Sequence, residues 1–149
     1  MPSDMTAGII SHAIQLAIAP VFLLTGIAGL LGVMATRLAR VIDRARTIEQ
    51  TWHAMNERAR TAARHEISTL ELRRRVCSWS INLSTAAALL VCLVIVVLFV
   101  EAFAGTNLRW LAGALFVGAM VAVIGGLSFF LREVHLATST ISFNPSMFD

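Results

Sequence analysis

Three stretches of this chain, Met5 to Thr36, Val76 to Val100 and Trp110 to Leu131, contain no Asp, Glu, Lys or Arg. Each is long enough to cross the hydrocarbon core of a bilayer, which takes about 20 apolar residues as a helix. A soluble domain of 149 residues rarely needs one interior helix of that length, so three of them decide the class. Composition agrees: 57% of the residues are hydrophobic, mean hydropathy is +0.76, and 14% are charged where a soluble domain carries about 25%. The chain reads as an all-α integral membrane protein with three transmembrane helices, over about 12–36, 78–101 and 109–131. The N-terminal MPSDMTAG has no Lys or Arg ahead of the first apolar stretch, so it lacks the positive region of a cleaved signal, and this span is expected to stay as an anchor.

Orientation follows from the arginines. Ten of the twelve lie between spans one and two, whereas the connection between spans two and three holds only Glu101 and Arg109. Basic residues stay on the cytoplasmic side, which predicts the N-terminus outside and the C-terminus inside. Trp79 and Trp110 open spans two and three, at depths where indole rings prefer the interface.

The segment 37–77 contains no Gly or Pro. Leu38, Val41, Ile42, Ala45, Ile48, Trp52 and Met55 recur at helical spacing, and Ala59, Ala63, Ile67 and Leu70 give a weaker returning stripe. Spans one and two are therefore expected to extend into the cytoplasm as an antiparallel helical hairpin. Its tip falls between Met55 and Ala62, with Asn56 as N-cap and Glu57 as a favourable first-turn charge. Pro20 inside the first span removes a backbone hydrogen bond and is expected to kink or break that helix. Residues 138–149 form a short tail, and the chain is one membrane domain over 1–149.

Three groups of residues stand out. Arg37, Arg40 and Arg44 leave the first span while Arg73, Arg74 and Arg75 arrive at the second, all at one depth. This cluster is either a topology anchor with local ion pairs or a patch for anionic lipid headgroups or an acidic partner. Ala114, Gly118, Ala122 and Gly126 recur every four residues on span three, a small-residue face for close helix approach within one protomer or between protomers. With three helices per chain, a homo-oligomer is the more economical reading. Gln15, Thr25, Asn82 and Thr85 are intramembrane polar groups, read as interhelical hydrogen-bond partners or as the lining of a water-filled path.

Other chemistry finds no residues to carry it. His12, His53, His65 and His135 fall on separate elements without metal or haem spacing, and Cys77 and Cys92 lie about 22 Å apart along one helix, so neither metal nor disulfide follows. No phosphate-binding glycine loop, nucleophile elbow or Cys-x-x-Cys pair is present, so no catalysis and no cofactor are expected. A net charge of +3 with interleaved carboxylates argues against nucleic acid as a partner, and the missing acid at mid-membrane argues against a proton-driven pump.

The stretch from Ile14 through Pro20 to Gly26, continuing over Arg37-Leu38-Ala39-Arg40-Val41-Ile42-Asp43-Arg44, resembles a family of small bacterial membrane proteins catalogued as domain of unknown function 2721. The likeness extends through Leu70 to Arg75, along span two, and to Phe130-Leu131-Arg132-Glu133-Val134. It implies a bacterial inner-membrane location and assigns no residue a role. The resulting expectation is a non-enzymatic, homo-oligomeric structural or interaction protein with an arginine-rich cytoplasmic face that meets membrane lipid. The alternative is an oligomeric ion channel lined by the polar residues of spans one and two.

Overall fold

In the computed structural model, which describes residues 2–139, three α-helices account for nearly the whole chain: α1 (Pro2–Thr51), α2 (Glu57–Ala104) and α3 (Arg109–Ser139). The tail expected at 138–149 lies outside the described residues from Thr140 onward. At 1.5 Å per residue α1 and α2 are each over 70 Å long, far more than a bilayer core requires, while α3 is about 46 Å. All three contain windows long and apolar enough to cross a membrane. α1 starts ten residues before the expected span and runs unbroken through Pro20. Of the kink or break expected there, the break does not occur, because proline removes only one hydrogen bond and apolar neighbours hold the helix on both sides of it.

The chain reverses over 52–56, at the leading edge of the tip expected between Met55 and Ala62, most of which is already α2. A single 3-10 turn, Trp52–Ala54, closes α1, and Asn56 caps α2 by accepting a 2.9 Å hydrogen bond from the Ala59 N–H. The second reversal uses Gly105, whose φ of +64° is left-handed and whose N–H reaches the Glu101 carbonyl at 3.1 Å. A side chain at this position would strain the backbone, so glycine ends the helix.

Packing follows a seven-residue period on every helix. One buried row holds Pro20, Ile27, Met34, Val41 and Ile48 on α1; Ala63, Leu70, Cys77, Ser84 and Val91 on α2, beside a second row of Ser80, Ala87 and Val94; and Ala112, Ala119, Gly126 and Glu133 on α3. A strict seven-residue spacing keeps one seam facing its neighbours and is the period of left-handed supercoiling. Ile27, Ala87, Val91 and Ala119 form a core shared by all three helices. Val41, Ile48, Ala63 and Leu70 form a second core, between α1 and α2 alone, in the segments that α3 does not reach. Outward-facing residues of the apolar stretches stay hydrophobic, among them Phe22, Leu89, Val117, Val121 and Ile124. A chain that presents such a surface is built for lipid rather than water.

Candidate functional site

The end of the apolar region nearest the α1–α2 turn is closed by a buried ionic junction. Glu133 on α3 has no exposed surface. Its Oε2 accepts from Arg37 Nη1 of α1 at 2.9 Å, and its Oε1 accepts from Arg73 Nη2 of α2 at 2.8 Å. One carboxylate thus ties all three helices at a single depth. The Arg37 guanidinium also lies over the Phe130 ring, 5.3 Å from its centroid. That ring, one turn before Glu133, presents its negative face to the cation. The junction has two cations and one anion, and the Nε of Arg73 is buried without a hydrogen-bond partner.

The helices deliver these groups by the same seven-residue logic that builds the core. Glu133 continues the row Ala112, Ala119, Gly126, so a charged residue occupies a seam position at the last turn of the bundle. Below it the seam is polar but satisfied: Ser80 Oγ donates to the Gly126 carbonyl at 2.6 Å, with the Met34 sulfur 3.3 Å away. Helix α3 approaches α2 so closely here that a Cβ at Gly126 would lie 2.7 Å from Ser84 Oγ and 3.3 Å from the Ser80 carbonyl oxygen. That separation admits only glycine without a shift of the backbone.

The six arginines singled out by sequence divide three ways. Arg37 and Arg73 turn inward to Glu133. Arg44 forms a two-point pair with Glu66, at 2.6 and 3.1 Å, while Arg74 and Arg75 share Glu71 on the surface of α2. Arg40 is exposed and makes no ion pair among the described residues. The two guanidinium groups hold the Glu71 carboxyl at about 2, through the hydrogen bond from Arg74 first and that from Arg75 second.

The small-residue face of α3 is brought together only in part. Gly126 is buried, Ala122 is packed at the core margin, Gly118 sits 3.7 Å from Leu90 by its would-be Cβ, and Ala114 is exposed. A four-residue step advances 40° around a helix, so the row rotates by 120° from Ala114 to Gly126 and leaves the seam. Gln15, Thr25, Asn82 and Thr85 all lie exposed on the outside of the bundle. Thr25 returns its hydroxyl to the Val21 carbonyl at 3.1 Å.

Sequence reasoning left Glu133 without a role and passed over Met34 and Phe130. A seven-residue count along α3 would have placed Glu133 on the seam, and its depth level with Arg37 would have named its partner. Among the described residues, one cavity of about 620 Å³ lies beside Trp52, Ile67 and Leu70 on the α1–α2 arms, and another of about 980 Å³ lies at the α2–α3 turn. Among the described residues no three His, Cys, Asp or Glu side chains come together as a metal site.

Against this geometry, a family model described as Protein of unknown function (DUF2721) matches residues 17–143. The chain belongs to the DUF2721 family. The matched region contains the whole junction, since Arg37, Arg73, Phe130 and Glu133 all fall inside it. No curated protein and no solved structure matches the chain.

Proposed function

We propose that this DUF2721 protein is a non-enzymatic, homo-oligomeric scaffold of the bacterial inner membrane whose arginine ring engages anionic lipid headgroups at the cytoplasmic surface. The observation that carries the reading is the charge left around the junction. Within four residues of Arg37, Arg73 and Glu133, about 6 Å along each helix axis, lie six arginines (Arg37, Arg40, Arg73, Arg74, Arg75, Arg132) and two carboxylates (Glu71, Glu133), a surplus of four positive charges. Each Lys or Arg near an anionic leaflet contributes about 1 kcal/mol of attraction. The same surplus supports an orientation with this layer at the cytoplasmic headgroups, the paired α1 and α2 arms extending into the cytoplasm as a helical hairpin and the N-terminus outside.

Self-association is supported by the outer face of α1. Ile18, Phe22, Thr25, Gly29, Gly32 and Thr36 recur at alternating four- and three-residue steps opposite the buried seam, and all are exposed. A Cβ at Gly29 or Gly32 would meet nothing within 4 Å. The Thr25 and Thr36 hydroxyls are satisfied by the Val21 and Gly32 carbonyls of their own helix, which leaves methyl groups and bare backbone outward. Such a face lets the backbones of two transmembrane helices approach closely.

Cysteine crosslinking in native membranes tests the oligomer. In a Cys77→Ser, Cys92→Ser background, Thr36→Cys is expected to give oxidant-induced dimers, while Val121→Cys on the outer face of α3 is expected to give none. Equal crosslinking at both sites, or none at Thr36→Cys, would remove the proposed α1 interface.

The channel reading finds less support. Gln15, Thr25, Asn82 and Thr85 face outward on one protomer, so a wet path requires an oligomer that turns several of them to a common axis.

A further inference from the structure

The cavity at the α2–α3 turn has the character of a ligand site rather than a packing gap. It lies between the early turns of α1 and the end of α2, with Leu16, Leu98 and Ala112 on its apolar wall and His12, Glu101 and Arg109 among its polar groups. The Glu101 side chain is 19% exposed, and its Oε1 accepts from Arg109 Nε at 3.2 Å. Its Oε2 is buried without a hydrogen-bond partner. A buried carboxylate oxygen left unpaired is costly, and a small turn of the Glu101 side chain toward the cavity would bring it to a donor.

The unpaired oxygen calls for a donor, and the charge of the acid favours a cationic one. Depth narrows the class further. Twenty-eight residues of α2 separate Arg73 from Glu101, about 42 Å, which matches a bilayer from one headgroup region to the other. Glu101 therefore stands at headgroup level in the leaflet opposite the arginine ring, with apolar wall extending from it toward the membrane interior.

We infer that this cavity binds the primary ammonium of a phosphoethanolamine lipid, the ammonium on the Glu101 carboxylate, the phosphate beside Arg109, and the chains along Leu16, Leu98 and Ala112. A choline headgroup has no N–H for Glu101, and a phosphoglycerol headgroup has no cation for it.

The test is native mass spectrometry of lipids retained after detergent release from nanodiscs holding equal phosphatidylethanolamine, phosphatidylcholine and phosphatidylglycerol. Because both arginine ring and cavity retain lipid, ethanolamine retention is scored against choline, which is equally zwitterionic. The unmodified protein is expected to prefer phosphatidylethanolamine about tenfold, the worth of one charge-assisted hydrogen bond. Glu101→Gln is expected to abolish that preference and leave phosphatidylglycerol retention unchanged. Equal retention of the two zwitterionic lipids by the unmodified protein would overturn the assignment, a comparison that needs no variant to fold. A preference that persists in Glu101→Gln would overturn it as well. Free ethanolamine is expected to leave the lipid bound, and displacement at millimolar concentration would assign the site to a soluble amine instead.

Discussion

Replacing Glu133 by Gln removes one charge and almost no volume, which isolates the electrostatic part of the junction. The carboxylate now accepts from Arg37 on one oxygen and from Arg73 on the other. Glutamine keeps one acceptor and turns an NH₂ toward the second guanidinium, so one charged hydrogen bond is lost and the survivor becomes weaker. Hydrogen bonds to charged groups contribute about 1.5–3 kcal/mol each, and breaking a buried pair costs roughly 3–5 kcal/mol. Glu133 has no exposed side-chain surface, but Arg37 and Arg73 keep 36% and 24% of theirs, so solvent recovers part of the loss. The expected destabilisation is about 3 kcal/mol, or roughly 6–12 °C in Tm for a protein of this size. Thermal unfolding of the detergent-solubilised protein, followed by tryptophan fluorescence, reads it through Trp79, which stacks on Phe129 at 6.5 Å. A variant carrying Glu133→Leu with Arg37→Leu and Arg73→Leu is expected to recover much of the stability, because an apolar replacement of the whole set leaves no orphaned charge. A Tm within 2 °C of the unmodified protein for Glu133→Gln alone would refute the reasoning.

Three further expectations use the same protein. Gly126→Val should separate α3 from α2, because its Cβ meets Ser84 and the Ser80 carbonyl, and overpacking of this kind costs about 1–3 kcal/mol; Gly113→Val, with open space around it, should leave the melting curve in place. Asn56→Ala should cost about 1 kcal/mol through loss of the Ala59 cap, detectable as faster hydrogen exchange at the start of α2. The Glu71 carboxyl, held at about 2, should titrate back toward the ordinary carboxylate range in Arg74→Gln, as followed by carbon-detected NMR. Because this carboxyl is depressed in the folded state, its contribution is present above the unfolded carboxylate pKa and is lost as pH falls from about 4.5 toward 2.

Much of the architecture was legible because the membrane imposes coarse rules. Three charge-free stretches named three helices, and the Asn56-Glu57 pair placed the start of α2 to the residue. Helix lengths were less legible: α1 begins at Pro2, since polar residues ahead of a span carry no stop signal against helix. The candidate site was legible in half. Arg37 and Arg73 were singled out as part of a basic cluster, but their shared partner lies sixty residues or more away in sequence, on a helix scanned for glycine rather than charge. A four-residue scan of α3 found Gly126 and drifted off the seam by Ala114, whereas a seven-residue scan stays within about 20° per repeat and reaches Glu133. Hydropathy does not reveal which face of a uniformly apolar helix meets protein and which meets lipid, so the outward placement of Gln15, Thr25, Asn82 and Thr85 awaited the structure.

Native mass spectrometry of the protein extracted with its lipids weighs the scaffold proposal most directly. A defined multiple of the protomer mass, carrying anionic lipid that Arg40→Gln, Arg75→Gln and Arg132→Gln together release, is the predicted result. A monomeric mass with no preference for anionic over zwitterionic lipid at the arginine ring would contradict it.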